Sequence, residues 1–215
     1  MLLLTKVKSS ILFSVSCRYT YLMLKTIITS EARMKILRYF YSHPQGYSPF
    51  VREISRDTKL EINAVRREII RMSEGKLLNE DPRGNRLHYC LNKDSSLYYD
   101  LASIISKEIG LGKLLRSKKK SLGNLNFCTL SLEFFLQSPT RKKESLDVLF
   151  LGSPYMSNLR DLFNEYQKKT NLEINYMVVS SEEYRILKER KDNLLMSFLI
   201  KPRSTIFGSQ ETYIN

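Results

Sequence analysis

Between Ser48 and Asn92 the apolar positions fall at two different spacings. From Glu61 to Glu74, Ile62, Val65, Ile69 and Met72 recur at steps of three, four and three, the period of a helix with one stripe turned to a core, which predicts a helix over 61–74. Asn63, Arg66, Arg67 and Arg71 then share the solvent side of that rod. Upstream, Ser48-Pro49 predicts a helix start, because a serine oxygen can accept from an early backbone N–H and a proline in the first turn loses no hydrogen bond. This shorter helix is expected to end near Thr58. Gly75 is expected to close the longer helix in a left-handed cap. Beyond it two strand-like runs flank Arg83-Gly84-Asn85-Arg86, which is hairpin chemistry with an arginine on each side of the turn.

The same reading extends outward. Thr29-Ser30-Glu31 predicts another helix start, and Arg33, Lys35 and Arg38 alternate with Ile36, Leu37 and Phe40 on an amphipathic helix that ends before Pro44. Tyr39, Tyr41 and Tyr47 serve equally as packing or contact residues. After the hairpin, Leu97, Leu101, Ile104 and Ile105 mark a helix suited either to pairing two subunits or to packing within the chain. Gly110-Leu111-Gly112 is expected to break it, and residues 111–124, with a run of bases and no acid, read as a basic linker helix.

Residues 125–215 alternate between strand-like and helical stretches, which suits a small α/β domain. NFCTLSLEFF, LDVLFLG and LEINYMVVS are the strand candidates, with STIFG as a last strand. NLRDLFNEYQKK, SEEYRILKERKD and NLLMSFLIK are the helical ones. Asp147 stands inside an apolar strand, where an acid is costly unless protonated, paired or metal-bound. Residues 1–22, with two lysines and the short apolar run Ile11-Leu12-Phe13, make a poor signal sequence and read as a disordered or artefactual extension. The fold class expected is therefore α+β: a first domain over 23–110, the linker helix, and an α/β domain over 125–215.

Composition narrows the partners. A net charge of +13 attracts polyanions, nucleic acid first, and no stretch reaches the roughly eighteen apolar residues that span a bilayer, so no membrane partner is expected. Cys17, Cys90 and Cys128 are odd in number and far apart, which fits a reducing, cytoplasmic setting without a disulfide framework. Neither they nor His43 and His88 have metal-ligand spacing, so no metal or other cofactor is expected.

Helix, turn, helix and basic-tipped hairpin is the element order of a winged helix-turn-helix. In that frame Asn63, Arg66, Arg67 and Arg71 face the major groove of double-stranded DNA and nearby phosphates, and in the groove arginine forks onto guanine and asparagine onto adenine. Arg83 and Arg86 reach the backbone or minor groove from the wing, and Lys35 or Arg52 add phosphate contacts. The plain alternative is a solvated basic face. The text ITSEARMKILRYF…VREISRDTKLEINAVRREIIRMSEGKLL…RGNRLHYCLN resembles the winged helix-turn-helix of ArsR-like transcriptional regulators. That resemblance implies a DNA-binding regulator, acting as a homodimer. The cysteine-rich metal-sensing helix of some members has no counterpart, which leaves any small-molecule effector unidentified.

Residues 23–208 as a whole resemble regulators of this kind that carry a C-terminal minimal nucleotidyltransferase-like domain. There a Gly-Ser turn cradles a triphosphate and two or more strand-borne acids hold magnesium. LDVLFLG corresponds to the acid-bearing strand, with Asp147 at the second acid and Ser145 at the first; Glu173 and Asn175 fall on the third strand. SLEFFLQSPTRKKES has no glycine where the turn should be. The expectation is a degenerate, non-catalytic domain used for sensing or dimerisation, so the chain is not expected to be an enzyme and has no catalytic residue. The competing expectation is transfer of a nucleotidyl group from a nucleoside triphosphate to a protein or RNA hydroxyl.

Overall fold

Ser30 begins α1 (Glu31–Tyr41) by accepting the Arg33 N–H on its hydroxyl at 3.2 Å. The computed structural model describes residues 26–209, so the expectation for residues 1–22 lies outside it. The described residues are mixed α+β, and the chain divides into two compact units between Ile105 and Ser106.

In the first unit α1 packs with α2 (Val51–Thr58) and α3 (Ile62–Glu74). Met34, Ile36, Leu37 and Phe40 from α1, Ile54 from α2, and Val65, Ile69 and Met72 from α3 are buried. The period read from the sequence is thus the buried stripe, save that Ile62 lies at its half-exposed margin. Ser48-Pro49 does not start α2. The N-cap is Phe50, whose N–H donates to the Glu53 carboxylate at 3.0 Å, so the first-turn acid does the capping and Pro49 is buried ahead of the helix. Gly75 is likewise not left-handed. At φ −75° it continues the helical sense, and Lys76 at φ 56° makes the reversal.

The hairpin β1 (Leu78–Arg83) and β2 (Arg86–Leu91) pairs Leu78 with Leu91 through to Arg83 with Arg86. Gly84, at φ 57°, supplies the left-handed turn residue that a two-residue hairpin loop requires. The hairpin also folds back onto the start of α2. Tyr89 N–H donates to the Pro49 carbonyl at 2.9 Å, and Phe50 bridges His88. Next comes α4 (Tyr98–Ser106), which buries Ile105 of the expected set together with Tyr98 and Ala102, while Leu101 and Ile104 are only partly buried. Leu97 is half exposed and Tyr98 takes the inward place, its carbonyl accepting from the buried Tyr41 hydroxyl at 2.9 Å.

In the second unit the residues expected as a linker are part of the core. They form α5 (Gly110–Lys118) and a 3₁₀ turn (Lys119–Ser121), and Leu111, Leu115 and Leu122 are buried. The unit continues through β3 (Gly123–Ser131), the short helix α6 (Leu132–Phe135), β4 (Val148–Pro154), α7 (Met156–Thr170) and β5 (Tyr176–Val179). It ends in α8 (Ser181–Glu189), α9 (Asn193–Leu199) and β6 (Arg203–Phe207). LEFF is therefore helix and not the end of a strand: Ser131 caps it, accepting from Phe134 N–H at 3.4 Å.

The sheet runs β5-β4-β3-β6, with β4 and β5 parallel and the other neighbours antiparallel. Val148 and Phe150 pack with α5 and α7 on one face; Leu149 and Leu151 pack with α8 and α9 on the other. Burial on both faces explains why β4 reads as an unbroken apolar run. β3 supplies both faces as well, and a register shift between Leu125 and Phe127 sends these two residues to opposite faces although they are two apart. Gly152, at φ 133°, lies so close to the Asn124 carbonyl that a Cβ there would collide with it.

Candidate nucleic-acid interface

On α3 a turn of about 100° per residue puts Asn63, Arg66, Arg67, Ile70 and Arg71 on one half of the helix, and all five are exposed. Arg83 and Arg86, also exposed, flank the hairpin turn. The structure brings Arg66 and Arg86 together. An open cleft of about 720 Å³ lies between the start of α2, the start of α3 and the hairpin, and Arg52, Arg56, Arg66 and Arg86 line it. Its floor includes Phe50, over whose ring the Arg86 guanidinium sits at 4.8 Å.

The arginines differ in how far their charge is already answered. Arg83 donates to Asp81 at 2.7 Å, Arg56 to Asp57 at 2.8 Å, and Arg71 lies 3.5 Å from Glu68. Arg52, Arg66, Arg67 and Arg86 form no ion pair with a carboxylate among the described residues. The acid lining the cleft, Glu53, is occupied in capping α2. The cleft therefore offers three guanidinium groups that form no ion pair, and Arg67 offers a fourth on the exposed face of α3, with the charges of Glu53 in the lining and of Glu61 near Arg66 and Arg67.

Glu61 shapes the same surface. Its carboxylate accepts from the Asn63 and Ala64 N–H groups, both at 2.9 Å, and these bonds hold its carboxyl below the usual range. The free N–H groups of a helix start are an anion site, and here a side chain fills it.

Glu68 holds α3 in place from behind. It is 6% exposed and sits among Val65, Ile69 and Met72. Ser30 Oγ donates to it at 2.8 Å, and Arg33 pairs with it at 2.8 Å. Burial works against its charge, but the hydrogen bonds from Ser30 and Arg33 outweigh burial and keep the carboxyl below its ordinary range. Because the folded value lies below the unfolded one, the stabilisation is present above the unfolded carboxylate value, roughly 4.3, and is lost as pH falls through the folded value. Glu68→Gln is expected to cost about 1–3 kcal/mol at neutral pH and to reduce the acid loss of stability. Hydrogen exchange of the α3 amides at pH 7 and pH 4, roughly either side of that value, measures both, and unchanged protection would contradict this role.

Sequence reasoning named Arg52 but missed Arg56, which the four-residue spacing places on the same helical face, and missed Phe50 and Glu68. An acid in the middle of an apolar stripe was the available signal for Glu68. Lys35 is exposed and sits 3.8 Å from Glu31. Tyr39 and Tyr41 are buried and hydrogen-bonded inside the unit, Tyr39 to Tyr47 and Asp57, so they are packing residues.

In the second unit Asp147 is fully buried and paired. Arg141 grips both of its oxygens, at 2.7 and 2.6 Å, and Asn175 N–H donates to it at 2.8 Å. That guanidinium, raised further in basicity by its hydrogen bonds to Asp147, also stacks over Phe134 at 5.2 Å. Glu173 and Asn175 precede β5 instead of lying on it. The Glu173 carboxylate is exposed and 3.8 Å from Lys143, while its carbonyl accepts from Arg141. Among the described residues no three His, Cys, Asp or Glu side chains are grouped to hold a metal ion, and no helix is long and apolar enough to cross a membrane.

Comparison of the chain with protein-family models, curated proteins and solved structures returned no match.

Proposed function

We propose that this chain is a sequence-specific, double-stranded-DNA-binding transcriptional regulator whose first unit works as a winged helix-turn-helix. The observation that carries the reading is the juxtaposition of the unpaired arginines of α3 with a cleft under the hairpin, lined by Arg52, Arg66 and Arg86, none of them ion-paired, and by a single acid, Glu53, that caps α2. A guanidinium without a carboxylate partner gains more from a phosphate or a guanine edge than one already paired. In this arrangement α3 lies in the major groove and offers Asn63, Arg66, Arg67 and Arg71 to base edges and the phosphates beside them, with Arg66 on the phosphate side in the cleft, and the hairpin straddles the backbone. A homodimer would present two such helices and select a two-fold symmetric site.

The second unit fits a degenerate, nucleotidyltransferase-like layer serving in sensing or dimerisation. Transfer chemistry of that class needs two or more carboxylates converging on magnesium. Asp147 has both oxygens committed to Arg141, and Glu173 stands apart on the surface, which disfavours the enzymatic alternative.

Arg67→Ala distinguishes base reading from general attraction. Fluorescence anisotropy with the preferred duplex is expected to lose about 1–3 kcal/mol of binding, while a scrambled duplex of equal length changes little. Equal losses on both would mean that Arg67 is a phosphate contact and that α3 reads no base through it.

A further inference from the structure

Ile70 interrupts the polar face of α3. At 44% exposure it is the one large apolar side chain left open on that helix among the described residues. A single exposed isoleucine is ordinary on a protein surface and by itself means nothing. Its position is what carries weight. Asn63, Arg66, Arg67 and Ile70 stand at i, i+3, i+4 and i+7, so they form one row along the side of the rod away from Val65, Ile69 and Met72. An isoleucine gains nothing from this place in helix propensity, since it is β-branched and a middling helix former. Neither does it add to the core, because Glu68, Ile69 and Met72 fill the opposite face.

On the reading that α3 lies in the major groove, the row meets a surface whose chemistry is known. The base edges there present hydrogen-bond donors and acceptors, and their one alkyl group is the 5-methyl of thymine. Asparagine and arginine take the polar edges; a branched alkyl side chain takes the methyl. We infer that Ile70 is a specificity residue that selects thymine by packing on its 5-methyl group. Over seven residues the helix rises about 10 Å, so Ile70 reads a base pair roughly three steps from the one that Asn63 reads.

This inference rests on the proposed DNA recognition, and deoxyuridine separates the two. Uracil keeps the hydrogen-bonding edge of thymine and lacks only the methyl. The full chain is first used to select a preferred duplex from a random pool; each thymine of that duplex is then replaced singly by deoxyuridine. At one position the wild-type protein should bind about fourfold more weakly, the value of one buried methyl. Ile70→Ala should bind the thymine and deoxyuridine duplexes equally there while keeping its preferences elsewhere, with Ile70→Val intermediate. Hydrogen exchange of the α3 amides confirms that the variants are folded. Insensitivity to every replacement, or an unchanged fourfold effect in Ile70→Ala, overturns the role of Ile70 and leaves DNA recognition standing. Failure to enrich any duplex overturns both.

Discussion

Replacing Asp147 by alanine is expected to destabilise the second unit by about 3–5 kcal/mol, the usual consequence of removing one partner from a buried ion pair. The size follows from what stays behind. Arg141 is itself only 18% exposed, and without Asp147 it keeps the Glu173 carbonyl and the Phe134 ring but loses the group that neutralises it. The Asn175 N–H loses its acceptor as well. Asp147 thus ties the loop carrying Arg141 to the segment that leads into β5, beside the start of β4. Asp147→Asn preserves the volume and one acceptor oxygen, so roughly half of the loss should be recovered. The double variant Asp147→Ala/Arg141→Ala should cost less than the sum of the two single changes, because no uncompensated charge remains. Hydrogen exchange of the β4 and β5 amides follows this unit separately from the first. A loss below about 1 kcal/mol would show the pair to be as weak as a surface ion pair, and Asp147 would again need another explanation.

The largest expected effect on binding comes from the cleft. Simultaneous Arg52→Ala, Arg66→Ala and Arg86→Ala changes should weaken binding to any duplex by about 100- to 1,000-fold near physiological salt and lower the salt slope by roughly 2.7. The estimate takes one phosphate per unpaired guanidinium, each contributing about 0.9 to the slope. Arg83→Ala should do less than Arg86→Ala although the two flank the same turn. Arg83 is already bound to Asp81, whereas Arg86 lies in the cleft over Phe50. Titrations at several salt concentrations with preferred and scrambled duplexes read both quantities. An unchanged slope in the triple variant would remove the cleft from the account.

Much of this surface was legible in the sequence where one local rule decided the matter. The period of Ile62, Val65, Ile69 and Met72 is a property of α3 alone, and it fixed which arginines face outward. The Gly84-Asn85 turn fixed the hairpin and its register for a similar reason. Where the sequence misled, a neighbour outside the local window decided. Ser48-Pro49 has helix-start chemistry, yet the pairing of this segment with β2 holds Pro49 and Phe50 extended, and the helix begins only at Val51. Residues 111–124 carry the bases of a solvated linker, but Leu111, Leu115 and Leu122 are claimed by the core of the second unit. Leu132–Phe135 follows β3 with no glycine or proline between them, so only the cap provided by Ser131 separates strand from helix. The cleft was out of reach for the same reason. It exists because Tyr89 N–H meets the Pro49 carbonyl, a contact between residues 40 apart that no periodicity announces.

The most direct measurement is selection of bound duplexes from a random DNA pool by the full chain at physiological ionic strength. The account predicts convergence on one motif, including a thymine whose methyl matters, with the enrichment abolished by Arg67→Ala and the cleft changes together. A pool that stays random after repeated rounds, with binding that depends on salt alone, would contradict it.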